Sequence, residues 1–422
     1  MIRNEIKSGV NFTAIEGKYK KSRLSVSLIS PISRDIITQT ALLPYMLERG
    51  TEKCPDMTAI KRKLNALYGT NLSTSYASSG FSRLIECVMS GADGSLLEDG
   101  EEISAERARL LLDILLDPHM ENNCFCEEWI DIEREKLRET INSIINDKAT
   151  YCFKLLNEEF FKGDERALPP DGFAEDLDKI TASDLTEVYR QFISRSEVEI
   201  VYVGPDTERF SDIASAAAPR FVSAAAVRKG IVPVAKNSSE VRVIKELDVE
   251  QDKLAFAYTT GKVLNRQEHT ILRIATALLG GTPTSRLFQN VREKQSLCYS
   301  VSASPSFDSG GGMYVECGVE HRNAEHTREA VAHELASLIK NGPRADELEQ
   351  VKLLYQNVYH GIYDSTASIA KYEFNSIIRF GELTDPQEEF KAIQSVTSEE
   401  IIEMLASLTL NCSCQLCKKE GA

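Results

Sequence analysis

The stretch that decides the fold runs from Gly280 to Val301 and reads Gly-Gly-Thr-Pro-Thr-Ser-Arg-Leu-Phe-Gln-Asn-Val-Arg-Glu-Lys-Gln-Ser-Leu-Cys-Tyr-Ser-Val. It follows an apolar segment with helical character, His269 to Leu279. A glycine after the last apolar turn is predicted to take the left-handed backbone conformation that stops a helix. Beyond that stop, Arg292 and Tyr299 stand seven positions apart, and Tyr299 is predicted to begin a strand.

The pattern around this stretch occurs twice in the chain. Ile37 to Arg49 is a second apolar helix that ends in Gly-Thr, and a strand-like run precedes each of the two helices. Each copy continues with an amphipathic helix stopped by proline, a long charged helix, and a Thr-capped helix before a last strand. This repeat predicts an α+β fold of two similar lobes of about 200 residues each. The expected boundaries are a first lobe at 1–222, a linker rich in small residues at 223–240, and a second lobe at 241–422.

Composition narrows the class of protein. The chain has 422 residues, of which 42% are hydrophobic and 27% are charged, which excludes a wholly disordered chain. Its net charge of -15 argues against nucleic acid or an anionic membrane surface as the main partner. No apolar run reaches the roughly 18 residues of a membrane span, and the N-terminal residues lack a secretory pattern. We therefore expect a cytoplasmic protein with reduced cysteines.

Three of the ten cysteines, Cys412, Cys414 and Cys417, lie close together. A metal or redox site is one interpretation, but no histidine or fourth cysteine stands nearby. The repeat places Cys412 and Cys414 on one face of the last strand of the second lobe, with Cys417 beyond the strand or on its opposite face, and small buried hydrophobic side chains are expected there.

Four segments resemble the insulinase/pitrilysin family of zinc metallopeptidases, the inverzincins, and in particular its non-catalytic bacterial members. They are Leu47–Pro55, Leu64–Leu72, Asp131–Ile141 and the opening stretch Gly280–Val301. The resemblance implies two homologous lobes, each with a mostly antiparallel sheet covered by helices. It also implies where an active member would hold zinc, namely in an H-x-x-E-H motif on the helix that ends in Gly-Thr.

This chain has lost that zinc motif. Counted back from Gly50, the two histidine positions are Ala41 and Tyr45, and the position of the general base is Pro44. The six histidines begin at His119, so no other register supplies the ligands. The third ligand position matches Glu139, which cannot hold zinc alone and has the alternative of a solvated helix carboxylate. We expect no cofactor in this chain, with zinc present only in a partner.

The second functional pair of the family is kept. The resemblance implies that Arg292 and Tyr299 bind a substrate carbonyl and the developing oxyanion in the active site of a facing lobe. The alternative is structural: Arg292 would pair with Glu293, and Tyr299 would pack at the start of a strand. His326 and His333 are two helical turns apart, and we interpret them as ordinary helix histidines.

Three functions are compatible with these residues. The first is a non-catalytic subunit of a heterodimeric peptidase, which supplies chamber wall and substrate contacts to a zinc-bearing sister subunit that acts on peptides or unfolded proteins. The second is a scaffold or peptide-binding pseudoenzyme with no peptidase role. The third is an active peptidase with a rebuilt metal site, which stoichiometric zinc in the purified protein would reveal.

Overall fold

The structure is a computed structural model that describes residues 1–97, 100–221 and 228–419. Within these ranges the strands form two sheets. The strands are β1 (Ile2–Lys7), β2 (Val10–Glu16), β3 (Lys21–Pro31), β4 (Asn71–Ser79), β5 (Ser82–Ala92), β6 (Glu197–Gly204), β7 (Val241–Leu247), β8 (Asp252–Thr259), β9 (Cys298–Ser306), β10 (Gly312–Val319) and β11 (Thr409–Lys418).

Several helices match the predicted amphipathic segments closely. The α-helices are α1 (Ile37–Leu47), α2 (Met57–Ala66), α3 (Gly100–Leu116), α4 (Glu127–Ser143), α5 (Lys148–Phe160), α6 (Ala174–Leu177), α7 (Ala182–Arg195), α8 (Thr207–Ala217), α9 (Arg266–Thr276), α10 (Ala324–Asn341), α11 (Ala345–Ile362), α12 (Thr366–Phe380), α13 (Pro386–Ser395) and α14 (Ser398–Ser407). No helix in the described ranges combines the length and the apolar character that crossing a membrane requires.

The two sheets have the same topology. The first has the strand order β1-β2-β6-β3-β5-β4, and only the β2–β6 pair is parallel. The second has the order β7-β11-β8-β10-β9, and only the β7–β11 pair is parallel. The second sheet therefore repeats the first strand for strand, without an equivalent of β1. This confirms the predicted α+β class and the mostly antiparallel sheets.

The compact units differ from the contiguous lobes expected from the sequence. The first unit comprises Met1–Asn142, Pro169–Lys229 and Gly361–Leu383, and the second comprises Ser143–Leu168, Gly230–His360 and Thr384–Ala422. Helix α5 is thus part of the second unit, and α12 is part of the first. Each of these helices follows the long charged helix of its own repeat, so equivalent segments are exchanged. The boundaries 1–222 and 241–422 did not anticipate this exchange, because it depends on long-range packing.

Helix α5 is held in the second unit by its apolar side. Its buried residues Cys152, Leu156 and Phe160 belong to the same core cluster as residues of β8 and β11. Cys412 and Cys414 lie in this cluster and are fully buried. All three clustered cysteines are free thiols on β11, which confirms the predicted strand position of Cys412 and Cys414.

The predicted linker is only partly described, since 223–227 lie outside the described residues. Residues 228–240 have no regular secondary structure, and those from Gly230 onward belong to the second unit. The amide of Val234 donates to the carbonyl of Ser309 at 3.0 Å. Lys236 Nζ donates to the carbonyl of Ser407 at 2.8 Å, and the amide of Asn237 donates to Asn411 Oδ1 at 2.7 Å.

The predicted helix caps are present at the starts of two helices, but the predicted glycine stops are absent at the ends of the two helices that lead into Gly-Thr. Thr181 and Thr397 form capping boxes at the starts of α7 and α14. The prediction of a left-handed glycine was wrong for Gly50 and Gly280, because neither is among the residues with positive φ. Close approach explains these glycines instead: a Cβ on Gly50 would lie 2.7 Å from the carbonyl oxygen of Pro55, and one on Gly280 would lie 2.8 Å from the Cβ of Ala303.

Candidate functional site

Helix α1 carries the three positions of the lost zinc motif. Ala41 is fully buried in the first unit's core, Pro44 is also buried, and Tyr45 is half-buried. The helix continues through Pro44 to Leu47, although proline removes one backbone donor from its middle. The carbonyl oxygen of Pro44 lies 2.9 Å from Thr74 Oγ1 on β4. The methyl group of Ala41 and the ring of Pro44 therefore offer nothing to a metal ion or to a water molecule.

The remaining ligand position does not compensate for this loss. Glu139 lies on the exposed side of α4, with no hydrogen bond or ion pair to any described residue. Its neighbour Arg138 instead pairs with Asp178 at 2.6 Å and with Glu135 at 3.3 Å. Among the described residues, no group of three or more His, Cys, Asp or Glu side chains is placed to hold a metal ion. The donor set at α1 and α4 does not fit zinc.

A pocket of about 490 Å³ has formed beside the degenerate positions. Its lining combines α1, the edge strand β4 and the loop before α6: Pro44, Tyr45, Thr74, Ser75, Tyr76, Ala77, Ser78, Pro170 and Asp171. Two of the degenerate positions, Pro44 and Tyr45, thus form part of a wall that α1 shares with β4.

Two tyrosines and a carboxylate define the chemistry of this pocket. The rings of Tyr45 and Tyr76 meet edge to face, with centroids 6.3 Å apart. The Tyr76 hydroxyl donates to Asp171 Oδ1 at 2.7 Å. Burial raises the pKa of Tyr76 well above its ordinary value, and the hydrogen bond to Asp171 adds to the shift. Tyr76 therefore stays protonated and acts as a donor that orients Asp171.

Arg83 supports the pocket from within the unit's interior. Its guanidinium carbon lies 4.7 Å from the centroid of the Tyr76 ring, and its Nε donates to Thr40 Oγ1 at 2.8 Å. Burial lowers the pKa of Arg83 to about 10, so the side chain remains charged at neutral pH. Arg83 thereby fixes the Tyr76 ring against α1.

Arg292 and Tyr299 lie in the second unit, on either side of a tight turn. Arg292 belongs to a π-helix, Leu287–Lys294, and Tyr299 is the second residue of β9, an edge strand of its sheet. Between them Ser296 has a φ of +53°, an unfavourable value for a residue other than glycine. The amide of Ser296 donates to the carbonyl of Arg292 at 3.1 Å, which closes the π-helix.

Both side chains of this pair reach solvent. The Arg292 side chain is 37% exposed, approaches Glu293 at 3.6 Å and lies over the ring of Phe288 at 4.3 Å. Tyr299 is 54% exposed, and its hydroxyl donates to Glu320 Oε1 at 2.9 Å. This bond to Glu320 raises the pKa of Tyr299. The contact with Glu293 that a structural role requires is present, but it is too long for a hydrogen bond.

His326 and His333 lie on the exposed side of α10, where they line a surface pocket of about 670 Å³ with Gln295, Leu297, Glu329, Ala330 and Glu334. Glu334 is the more buried of the two acids in this lining, and it accepts a hydrogen bond from Asn290 Nδ2 at 2.8 Å.

Sequence reasoning missed three residues of the α1 pocket: Tyr76, Arg83 and Asp171. One signal was available, since the alternation along β4 places Tyr76 on the same face as Thr74. Nothing local connects Tyr76 with Asp171, because they are 95 residues apart and the contact exists only in the folded unit.

Comparisons with known proteins agree with this geometry. Residues 179–355 match the family model described as "Peptidase M16 inactive domain". The chain is 29% identical over 411 residues to the "Probable inactive metalloprotease YmfF" of Bacillus subtilis. The aligned region covers 96% of this chain and 95% of that protein. A second protein of the same bacterium, "Uncharacterized zinc protease YmxG", is 24% identical over 249 residues, or 58% of this chain and 59% of its own.

Among solved structures, a conserved protein from Enterococcus faecalis V583 superimposes with a TM-score of 0.91 at 24% sequence identity. The match covers 100% of this chain and 99% of that one, and it establishes the two-unit fold.

Proposed function

We propose that this chain is a non-catalytic member of the M16, or insulinase/pitrilysin, peptidase family, and that it serves as the non-catalytic subunit of a heterodimeric zinc peptidase. A zinc-bearing sister subunit would supply the metal and the general base. This chain would supply part of the chamber wall and, through Arg292 and Tyr299, contacts to the substrate carbonyl. The complex would act on peptides or unfolded proteins in the cytoplasm.

The observation that carries this proposal is the contrast between the two units. In the first, the ligand positions are a buried alanine, a proline inside a helix and a tyrosine, none of which suits zinc. In the second, Arg292 and Tyr299 keep their polar groups at the surface, on a π-helix and an edge strand. A fixed cation and a phenol donor stabilise negative charge that develops on a carbonyl oxygen. Two of the relatives come from one bacterium, and one is called inactive while the other is called a zinc protease. Such a pair fits a peptidase in which zinc and substrate contacts are divided between two subunits.

The experiment is co-expression of this chain with a zinc-bearing paralogue from the same genome, followed by peptide cleavage by the purified complex. Replacing Arg292 with alanine is expected to lower kcat/KM by about 100-fold, since one transition-state donor contributes about 2.7–4 kcal/mol. Arg344→Ala is the matched control, because Arg344 is an exposed arginine that pairs with Asp346 on α11. The proposal fails if no complex forms, or if the two variants cleave equally well.

A second candidate is a peptide-binding protein with no peptidase role. The pocket beside α1 favours this function, because two of the degenerate positions, Pro44 and Tyr45, line it and it requires no metal. Peptide binding by the isolated chain, together with the absence of a peptidase partner in pull-downs, would support this second function over the first.

A further inference from the structure

We infer that a second copy of this chain pairs with the free edge of β7, so that the second-unit sheets of two molecules join around a two-fold axis. The inference goes beyond the proposed function, because it concerns the association of this chain with itself and involves neither zinc nor a peptide substrate. It rests on the strand β7, Val241–Leu247, which reads Val-Arg-Val-Ile-Lys-Glu-Leu.

The outer edge of β7 has no partner strand. β7 is an end strand of its sheet and pairs with β11 alone among the described strands. Successive residues of a strand direct their N–H and C=O groups to opposite sides, so every second residue of β7 directs them away from β11. A row of unpaired backbone groups of this kind is a template for another strand.

The first sheet shows how the equivalent edge is covered. β2 holds the position there that β7 holds in the second sheet, since each forms the parallel pair of its sheet. β1 covers the free edge of β2 in an antiparallel pair, and β2 is largely buried, with Val10 at 0% and Phe12 at 3% exposure. On β7, in contrast, Ile244 is 64% exposed and Val241 is 37% exposed. An antiparallel strand from another molecule would cover β7 as β1 covers β2.

The sequence of β7 is complementary to itself in one antiparallel register. When the Ile244 residues of two copies lie opposite each other, Arg242 lies opposite Glu246 of the second copy. In the same register Val241 lies opposite Leu247. The two-fold axis repeats each of these pairs, because both copies contribute the same strand. Opposite charges and apolar side chains that face each other across two antiparallel strands stabilise the pairing.

The charged pair lies on one face of the extended sheet. Alternation along the strand places Arg242, Ile244 and Glu246 on the same face. Glu246 is exposed and forms no ion pair with a described residue. Arg242 approaches Glu240 at 3.2 Å and Glu325 at 3.7 Å, and its guanidinium group has five N–H donors, enough for a further carboxylate.

The remaining cross-strand neighbours are compatible with this register. Lys245 lies opposite Val243 of the second copy, where its methylene stem can cover the apolar side chain. Beyond the strand ends, Glu240 comes near Asp248 of the second copy. Arg328 compensates the charge of Glu240, since its Nη1 lies 2.6 Å from Glu240 Oε1. One short sequence thus supplies both members of every pair, which favours a second copy of this chain as the occupant.

The first test measures self-association of the isolated full chain. Because one pair of seven-residue strands makes a small interface, sedimentation velocity is measured at protein concentrations from about 1 to about 200 µM. The mass is expected to rise from that of the 47.0 kDa monomer towards twice that value.

Two charge reversals test the register. Glu246→Arg places arginine opposite Arg242, and Arg242→Glu places glutamate opposite Glu246, so each variant alone is expected to weaken self-association at least about tenfold. A mixture of the two variants restores opposite charges at both pairs and is expected to dimerise within about threefold of the unaltered affinity. This recovery also shows that both variants are folded. Glu349→Arg is the matched control, because Glu349 is exposed on α11, outside β7.

Cross-linking tests the position of the two-fold axis. Ile244→Cys is expected to form a covalent dimer with a short bismaleimide, because residue 244 faces itself across the axis. Arg242→Cys is expected to form none, because residue 242 faces residue 246. The unaltered chain gives the background, since Cys54 and Cys124 are partly exposed thiols.

A chain that stays monomeric at every concentration would overturn the inference. So would a dimer that persists in Glu246→Arg, or a mixture of the two variants that does not dimerise. If Glu246→Arg abolishes binding to the zinc-bearing paralogue and leaves self-association intact, the β7 edge belongs to the sister subunit and the inference fails. The proposed function is judged separately, through cleavage by the complex and its dependence on Arg292.

Discussion

Replacing Leu156 with alanine is predicted to destabilise the second unit, although Leu156 lies within the sequence of the first repeat. Leu156 is fully buried in α5, in the core cluster that contains Ala255 and Ala257 of β8 and Leu416 of β11. Truncation of a fully buried leucine costs about 3 kcal/mol, because apolar contacts are lost and a cavity remains. The stability of the second unit should fall by that amount.

Native-state hydrogen exchange resolves the two units in one experiment. A loss of about 3 kcal/mol speeds exchange from the globally protected amides by about 100-fold. In Leu156→Ala this acceleration is expected in β8 and β11, with β3 and β6 unchanged. The reciprocal variant is Ile377→Ala, since Ile377 is fully buried on α12 of the first unit. It should accelerate exchange in β3 and β6.

The opposite exchange pattern would contradict the assignment of α5 to the second unit. If each repeat folded as a contiguous lobe, Leu156→Ala would accelerate β3 and β6 and leave β8 protected. Leu185→Ala is the matched control, because Leu185 is a fully buried leucine of α7 in the first unit. It is expected to affect β3 and β6 only.

Two further substitutions test the local physics of the fold. Burial raises the pKa of Glu316, so its carboxylate lowers stability as pH rises from the unfolded value of about 4.3 through the folded pKa. Glu316→Gln should therefore raise Tm at pH 7 and raise it less at pH 4, and an equal shift at both values would contradict this. Gly50→Ala should lower the stability of the first unit by about 2 kcal/mol in urea unfolding, since the new Cβ would lie 2.7 Å from the Pro55 carbonyl oxygen. Gly230→Ala, in the second unit at a position where no atom lies within 4 Å of the new Cβ, should change the stability of that unit by less than about 0.5 kcal/mol, and equal losses in the two variants would argue against the steric explanation.

The parts of the fold that the sequence predicted are those with local causes. The caps at Thr181 and Thr397 depend on residues three positions apart, and the sequence contains both partners. The strand at Cys412 and Cys414 followed from alternation and from the repeat. The common topology of the two sheets followed from the repeated order of their elements.

The parts that could not be predicted depend on contacts between distant residues. The apolar side of α5 is equally compatible with either sheet, and only the cluster with Cys412 and Leu416 assigns it to the second. Gly50 and Gly280 looked like helix stops, whereas the structure requires glycine there for close approach to Pro55 and Ala303.

For the candidate site, the sequence identified the loss of the zinc motif on α1 but not the pocket that lies beside it. Ala41 and Pro44 lack, by residue type alone, the donor atoms that the family's zinc motif requires. The pocket that stands there depends on Tyr76 and Asp171, which no motif connects.

The most direct test of the account compares peptide cleavage by the zinc-bearing paralogue alone with cleavage by the paralogue plus this chain. The paralogue alone is expected to be nearly inactive, and adding this chain is expected to raise kcat/KM by about 100-fold or more, because the carbonyl-binding groups come from the second subunit. A paralogue that cleaves the peptide equally well with and without this chain would contradict the central claim.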